Sequence, residues 1–125
     1  MVKDGLKYSE THEWLKIEGN KATIGITDYA QNELGDIVFI ELPEVGKELK
    51  PGDVLATVEA VKAVEEIYIP IAGKVLECNT KLQDSPELIN SSPYDQGWIA
   101  KIEILNKDEL ENLLSPEKYK ELIGE

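Results

Sequence analysis

Glu13-Trp14-Leu15-Lys16-Ile17-Glu18-Gly19-Asn20-Lys21-Ala22-Thr23-Ile24-Gly25-Ile26 contains two short runs, Glu13 to Glu18 and Lys21 to Ile26, on either side of Gly19-Asn20. That central pair readily takes positive φ, so the stretch predicts a tight β-hairpin. Thr27 follows as an N-cap and Gly35 as a C-terminal cap, with Asp28 to Leu34 making a short helix between them. Asp36 to Leu42, rich in β-branched and apolar residues and ended by Pro43, reads as another strand. Val54 to Val58, Ile67 to Ile71, Lys74 to Cys78 and Trp98 to Ile104 complete the strands. Asn106 with Glu109 resembles a capping box, and Leu110, Leu113 and Leu114 share one helical face. Ser115-Pro116 restarts a second helix, with Tyr119, Leu122 and Ile123 as its apolar side. Many short strands followed by helices predict a mainly β fold, a small antiparallel sandwich or barrel with terminal helices. Gly35-Asp36-Ile37-Val38 and Gly73-Lys74-Val75-Leu76 echo one another at strand starts, a pattern that a twofold-repeated fold and chance explain about equally well.

The 125 residues suit one domain, residues 1–125, with a single core. Composition is globular, 42% hydrophobic and 30% charged, which argues against wholesale disorder. Twenty-five acidic residues against 13 basic ones give a net charge of −12. That balance disfavours nucleic acid and anionic membrane as partners and favours basic protein surfaces. The one cysteine, Cys78, rules out an internal disulfide and any Cys-x-x-Cys site, and it fits a reducing compartment. The start of the chain shows no signal or transit pattern, and no apolar run reaches membrane-spanning length. A cytoplasmic protein of a bacterium or archaeon is the simplest expectation, although a mature organellar protein would read the same.

Glu59-Ala60-Val61-Lys62-Ala63 is the stretch that points to chemistry. Lys62 falls at a turn between two strands. No Asn-Gly or Asp-Gly is present, so Val61 and Lys62 are expected in an ordinary negative-φ turn. By position alone it is a solvated surface lysine. Its small apolar neighbours, and the lack of another reactive site, favour a lysine held out for modification. His12 is the only histidine and cannot make a familiar metal set, so it reads as structural, near a strand edge. Cys78 reads as an inert buried thiol. There is no phosphate-binding glycine loop and no nucleophile elbow. A carrier or binding module therefore fits better than an enzyme.

Several blocks in order resemble the glycine cleavage system H protein family over nearly the whole chain. They are Thr11-His12-Glu13-Trp14-Leu15, Ile24 to Gln31, Leu34 to Phe39, Glu41 to Gly46, Asn90 to Tyr94 and Gly97-Trp98. The resemblance implies a hybrid barrel-sandwich with a lysine at a hairpin tip. It implies that Lys62 carries amide-linked lipoate, with Glu59, Val61 and Ala63 as the motif read by the lipoate-attaching enzyme. It further implies a carrier that takes an aminomethyl group from glycine decarboxylase to an aminomethyltransferase, and that dihydrolipoyl dehydrogenase reoxidises. A tethered arm of this kind keeps a high local concentration while visiting several sites. The family places groups that hold the cationic cargo where Thr11, Glu13 and Glu66 stand here, each of which could otherwise be a solvated surface group.

Three positions depart from the family pattern around the attachment site. Ala60 replaces a serine, Glu65 stands for Ser or Ala, and Ile69 stands for a small residue before Pro70. Other readings are an H-like relay that supplies lipoate to other complexes, and an unmodified regulatory paralogue. A biotin carrier fits less well, because Val61 and Ala63 occupy the positions where biotin sites place methionines. A monomer is expected.

Overall fold

The computed structural model describes residues 1–125 and is built mainly from antiparallel strands. The hairpin forms as expected: β2 (Glu13–Glu18) pairs with β3 (Lys21–Ile26) from Glu18↔Lys21 to Glu13↔Ile26. Only Gly19 of its turn takes positive φ, at 62°. Helix α1 (Asp28–Leu34) follows, with the Thr27 hydroxyl accepting from Ala30 N–H and Gly35 N–H closing on the Gln31 carbonyl.

Two sheets make the sandwich. One runs in the order β1 (Lys7–Tyr8), β2, β3, β9 (Ala100–Ile104), β8 (Gly73–Cys78), β5 (Glu48–Leu49). The other is β4 (Ile37–Glu41), β6 (Val54–Ala60), β7 (Val64–Tyr68). Between them lies one cluster of 22 buried residues drawn from both sheets, including Leu15, Ile24, Ile40, Val58, Ile67 and Ile102. A smaller cluster, Leu6, Tyr8, Trp14 and Tyr119, seats the C-terminal helix. No helix is long and apolar enough to cross a membrane.

Several boundaries differ from the sequence reading. The strand expected over Ile67 to Ile71 runs instead from Val64 to Tyr68, because the lysine hairpin extends its ladder through exposed residues. Ile69 and Ile71 are buried outside the ladder, and Ile69 N–H bonds to the Asp53 carbonyl at 2.9 Å. The last strand starts at Ala100 rather than Trp98. The two-residue strands β1 and β5, and the one-turn helices α2 (Lys81–Asp84) and α3 (Leu88–Ser91), had no sequence signal. Asn106 caps a 3₁₀ turn, Lys107–Asn112, by accepting from Asp108 N–H. Glu109 does not close a capping box; its carboxylate accepts from Ala72 N–H at 2.8 Å. Helix α4 (Pro116–Ile123) is capped by Ser115 as expected.

The echo between the two Gly-led stretches has a structural counterpart. The β4–β6 register shifts between Ile37 and Phe39, and the β8–β9 register shifts between Val75 and Glu77. Val38 and Leu76, the fourth residues of the two stretches, are thus both bulged and both exposed.

Candidate functional site

Lys62 sits on the connection between β6 and β7. Ala60 N–H donates to the Ala63 carbonyl at 2.8 Å, and Val61 and Lys62 form a bend in which neither takes positive φ, as the absence of an Asn-Gly or Asp-Gly pair predicts. Lys62 is exposed and joins none of the ion pairs. Val61 is 72% exposed, so nothing on the chain covers the lysine tip. The tip is not free to drift, because Val61 N–H also donates to the Asp36 carbonyl at 3.0 Å. Glu59 lies on the solvent face of β6, between Phe39 of β4 and Val64 of β7 in the cross-strand register.

Beside the hairpin lies an open cleft of about 410 Å³. One wall is β7 with Ala63, and the other is α1 with the turn before β2. Ile26, Leu34 and Ile67 supply apolar lining, and Thr11, Glu33, Glu65 and Glu66 are among its polar residues. Of the residues expected to face a cargo, Thr11 and Glu66 line this cleft. On β7, Glu65 shares the inward face with buried Ile67, whereas Glu66 lies on the side of Tyr68, whose hydroxyl is 3.5 Å from its carboxylate. Glu65, noted above only as a departure, is therefore a cleft residue, and so is Glu33, which had no distinguishing sequence signal.

Glu13 is placed differently. It is 1% exposed, is not among the lining residues, and is no solvated surface group. Its Oε1 accepts from Ser9 Oγ at 2.6 Å and from Thr11 Oγ1, so the cleft hydroxyl of Thr11 is held by a carboxyl group behind it. Burial pushes the Glu13 carboxyl up to about 7, outweighing the hydrogen bonds from Ser9 and Thr11 and a backbone N–H of Tyr68.

His12 also lines the cleft. It precedes β2 in the left-handed region at φ 73°, an unfavourable place for a residue with a side chain. Three contacts hold it there. Nδ1 is 2.8 Å from the Tyr119 hydroxyl, the ring lies 4.8 Å from that of Tyr29, and His12 C=O accepts from Thr27 N–H. Burial lowers its pKa from the ordinary histidine value, against the opposing pull of the Glu33 carboxylate. Cys78 is half-buried rather than buried, because it stands at the end of its strand; it donates its Sγ–H to the Pro43 carbonyl at 3.0 Å, and burial raises its pKa.

Ala60, Glu65 and Ile69, the departures from the family pattern, have separate surroundings. Ala60 is buried at the base of the tip, Ile69 is wholly buried, and only Glu65 meets the cleft.

A barrel-sandwich with a lysine on a hairpin tip is the architecture of lipoyl-carrying proteins. Comparison with known proteins agrees. The profile of the family "Glycine cleavage H-protein" matches residues 6–125. Glycine cleavage system H proteins of Staphylococcus saprophyticus and Staphylococcus epidermidis are 57% and 59% identical over 124 residues, covering 99% of this chain and 98% of each relative. A crystal structure of a glycine cleavage system H protein from Mycobacterium marinum superposes with a TM-score of 0.89 at 31% identity, covering 99% of this chain and 100% of the other. The chain belongs to the glycine cleavage H-protein family. Its role is that of a lipoyl carrier in glycine cleavage rather than of an enzyme, and its cofactor is lipoate attached covalently to a lysine.

Proposed function

We propose that Lys62 is the lipoyl-bearing residue and that residues 1–125 work as one carrier domain. The observation that carries this reading is the placing of Lys62: exposed, unpaired, at a hairpin tip whose neighbour Ala63 lines a cleft. The cleft suits such a group, since its volume and mixed apolar and polar lining match those of sites that take a ligand of this size. When bound, lipoate supplies a dithiolane that can be opened, loaded and reoxidised. The chain supplies the rest. Ile26, Leu34 and Ile67 give the arm an apolar surface to lie against, and acylation of Lys62 removes the ammonium charge that would oppose this. Thr11, Glu65 and Glu66 would hold a cationic aminomethyl cargo by charge-assisted hydrogen bonds, with Glu13 orienting Thr11 from behind. Glu59, Val61 and Ala63 flank the lysine as the surface that the lipoate-attaching enzyme reads.

The partners that follow are glycine decarboxylase, the aminomethyltransferase and dihydrolipoyl dehydrogenase, met by a monomer in a cytoplasmic setting. Intact mass and peptide mapping of protein from lipoate-replete cells test the reading, with a lipoyl adduct expected on Lys62 alone. Lys62→Arg should fold normally and stay unmodified, because a guanidinium is not acylated as the amine is. An adduct on that variant, or a wild-type protein without one, would overturn the assignment. Loading of the lipoylated protein by glycine decarboxylase and glycine separates a glycine cleavage carrier from a lipoate relay.

A further inference from the structure

Asn90 belongs to α3, far along the chain from the lysine hairpin, and no step above uses it. Both N–H groups and the oxygen of its side-chain amide make hydrogen bonds. Nδ2 donates to the Gly35 carbonyl at 2.8 Å and to Gln31 Oε1 at 3.0 Å, and Oδ1 accepts from Ile37 N–H at 2.9 Å. Two of these contacts bracket Asp36, whose carbonyl accepts Val61 N–H beside Lys62. The third grips α1, whose Ala30, Glu33 and Leu34 line the cleft. One amide thus touches the segment that fixes the lysine tip and the helix that forms a cleft wall. Asn90 is itself held in place, since the loop after α3 is pinned by Trp14 Nε1–H on the Pro93 carbonyl at 2.9 Å.

We propose that Asn90 is a positioning residue that locks the corner between α1 and β4, so that the lysine tip and the cleft keep one separation. The functional half of this rests on Lys62 as the attachment point. A tethered group occupies a nearby site in proportion to how well its point of attachment is placed. Without the lock, the Asp36 carbonyl would shift and Val61 N–H would lose a fixed acceptor. The arm would then start from many positions and rest in the cleft less often. An attaching enzyme, which can follow a mobile lysine, would be little affected.

Amide exchange on the full-length, unmodified protein tests the lock without any need for lipoate. In Asn90→Ala, the protection of Val61 N–H should fall about tenfold, roughly the worth of one hydrogen bond, and by more than that of Ile24 and Ile102 N–H in the core. Unchanged Val61 protection, or an equal loss at all three, would overturn the proposal. If Asn90→Ala does not fold, Asn90→Asp carries the same test. It keeps the acceptor for Ile37 N–H but loses the donor to Gly35 when ionised, so Val61 should be deprotected at neutral pH and protected again once the new carboxyl is protonated. In the lipoylated protein the loaded cargo should hydrolyse several-fold faster, with the rate of Lys62 lipoylation hardly changed. A normal cargo lifetime in a variant with deprotected Val61 would overturn the functional half and leave the structural one. A wild-type protein lacking lipoate would instead sink the assignment of Lys62, while the exchange result stood.

Discussion

Gly25 faces Trp14 across the β2–β3 ladder, and a β-carbon at position 25 would fall 2.6 Å from the indole ring. The φ of Gly25 is not in the left-handed region, so glycine is needed there for space rather than for backbone freedom. The indole is 2% exposed and cannot move away without breaking its bond to the Pro93 carbonyl. Gly25→Ala should therefore destabilise the protein by about 2 kcal/mol, the usual scale for overpacking. Urea unfolding measures this, and the same substitution should cost much less in a Trp14→Leu background, where nothing fills that space.

Glu13 should make stability fall as pH rises. Its carboxyl is raised in the folded protein from 4.5 to about 7, so the native state holds the proton more tightly than the unfolded chain. The stabilisation this gives is fully present below pH 4.5 and is lost as pH rises through about 7. A shift of this size corresponds to about 3 kcal/mol. The difference in urea midpoint between wild type and Glu13→Gln, followed from acid to alkaline pH, isolates this contribution from the general repulsion of an acidic chain. A difference that does not vary with pH would show that Glu13 has an ordinary carboxyl.

The Tyr119 hydroxyl, wholly buried, meets both His12 Nδ1 at 2.8 Å and Thr27 Oγ1 at 2.7 Å. Tyr119→Phe removes a shared partner from two polar groups and should cost about 2 kcal/mol. It also loosens His12, which holds its left-handed backbone partly through that contact. The single histidine makes NMR titration simple. Its pKa lies below the ordinary histidine value in the parent protein and should move back toward it in the variant.

Glu66→Gln should shorten the lifetime of the carried aminomethyl group while leaving reoxidation of the free dithiol unchanged, because only the cargo is cationic. For a partly solvated carboxylate the expected effect is about 1 kcal/mol, roughly fivefold in lifetime. Glu65→Gln should act in the same direction, since Glu65 lines the same cleft. Equal changes in both steps would count against a cleft role for either residue.

Much of the framework is legible in the residues alone because the signals are local. Gly19 bends its own hairpin, Thr27 and Gly35 cap the helix between them, and Ser115-Pro116 starts the last helix, each acting on backbone groups within a few positions. Lys62 stands out for a similar reason, since its small neighbours are adjacent in the chain. What the sequence could not determine depends on partners distant along the chain. β1 and β5, two residues each, exist as strands only because β2 and β8 offer them a ladder. Val64 to Glu66 are exposed residues drawn into a strand by the hairpin opposite β6. Glu13 looks like a solvated carboxylate until Ser9, Thr11 and the bulk of the sandwich remove it from water, and desolvation depends on the surroundings in space rather than on the neighbouring letters. Asn90 meets Ile37 across 53 residues. By itself the sequence singled out Lys62 and determined which elements form near it. Only the tertiary structure decided which carboxyl groups face the cleft and what holds the lysine tip beside it, because burial and hydrogen-bond geometry are set by groups that folding alone brings together.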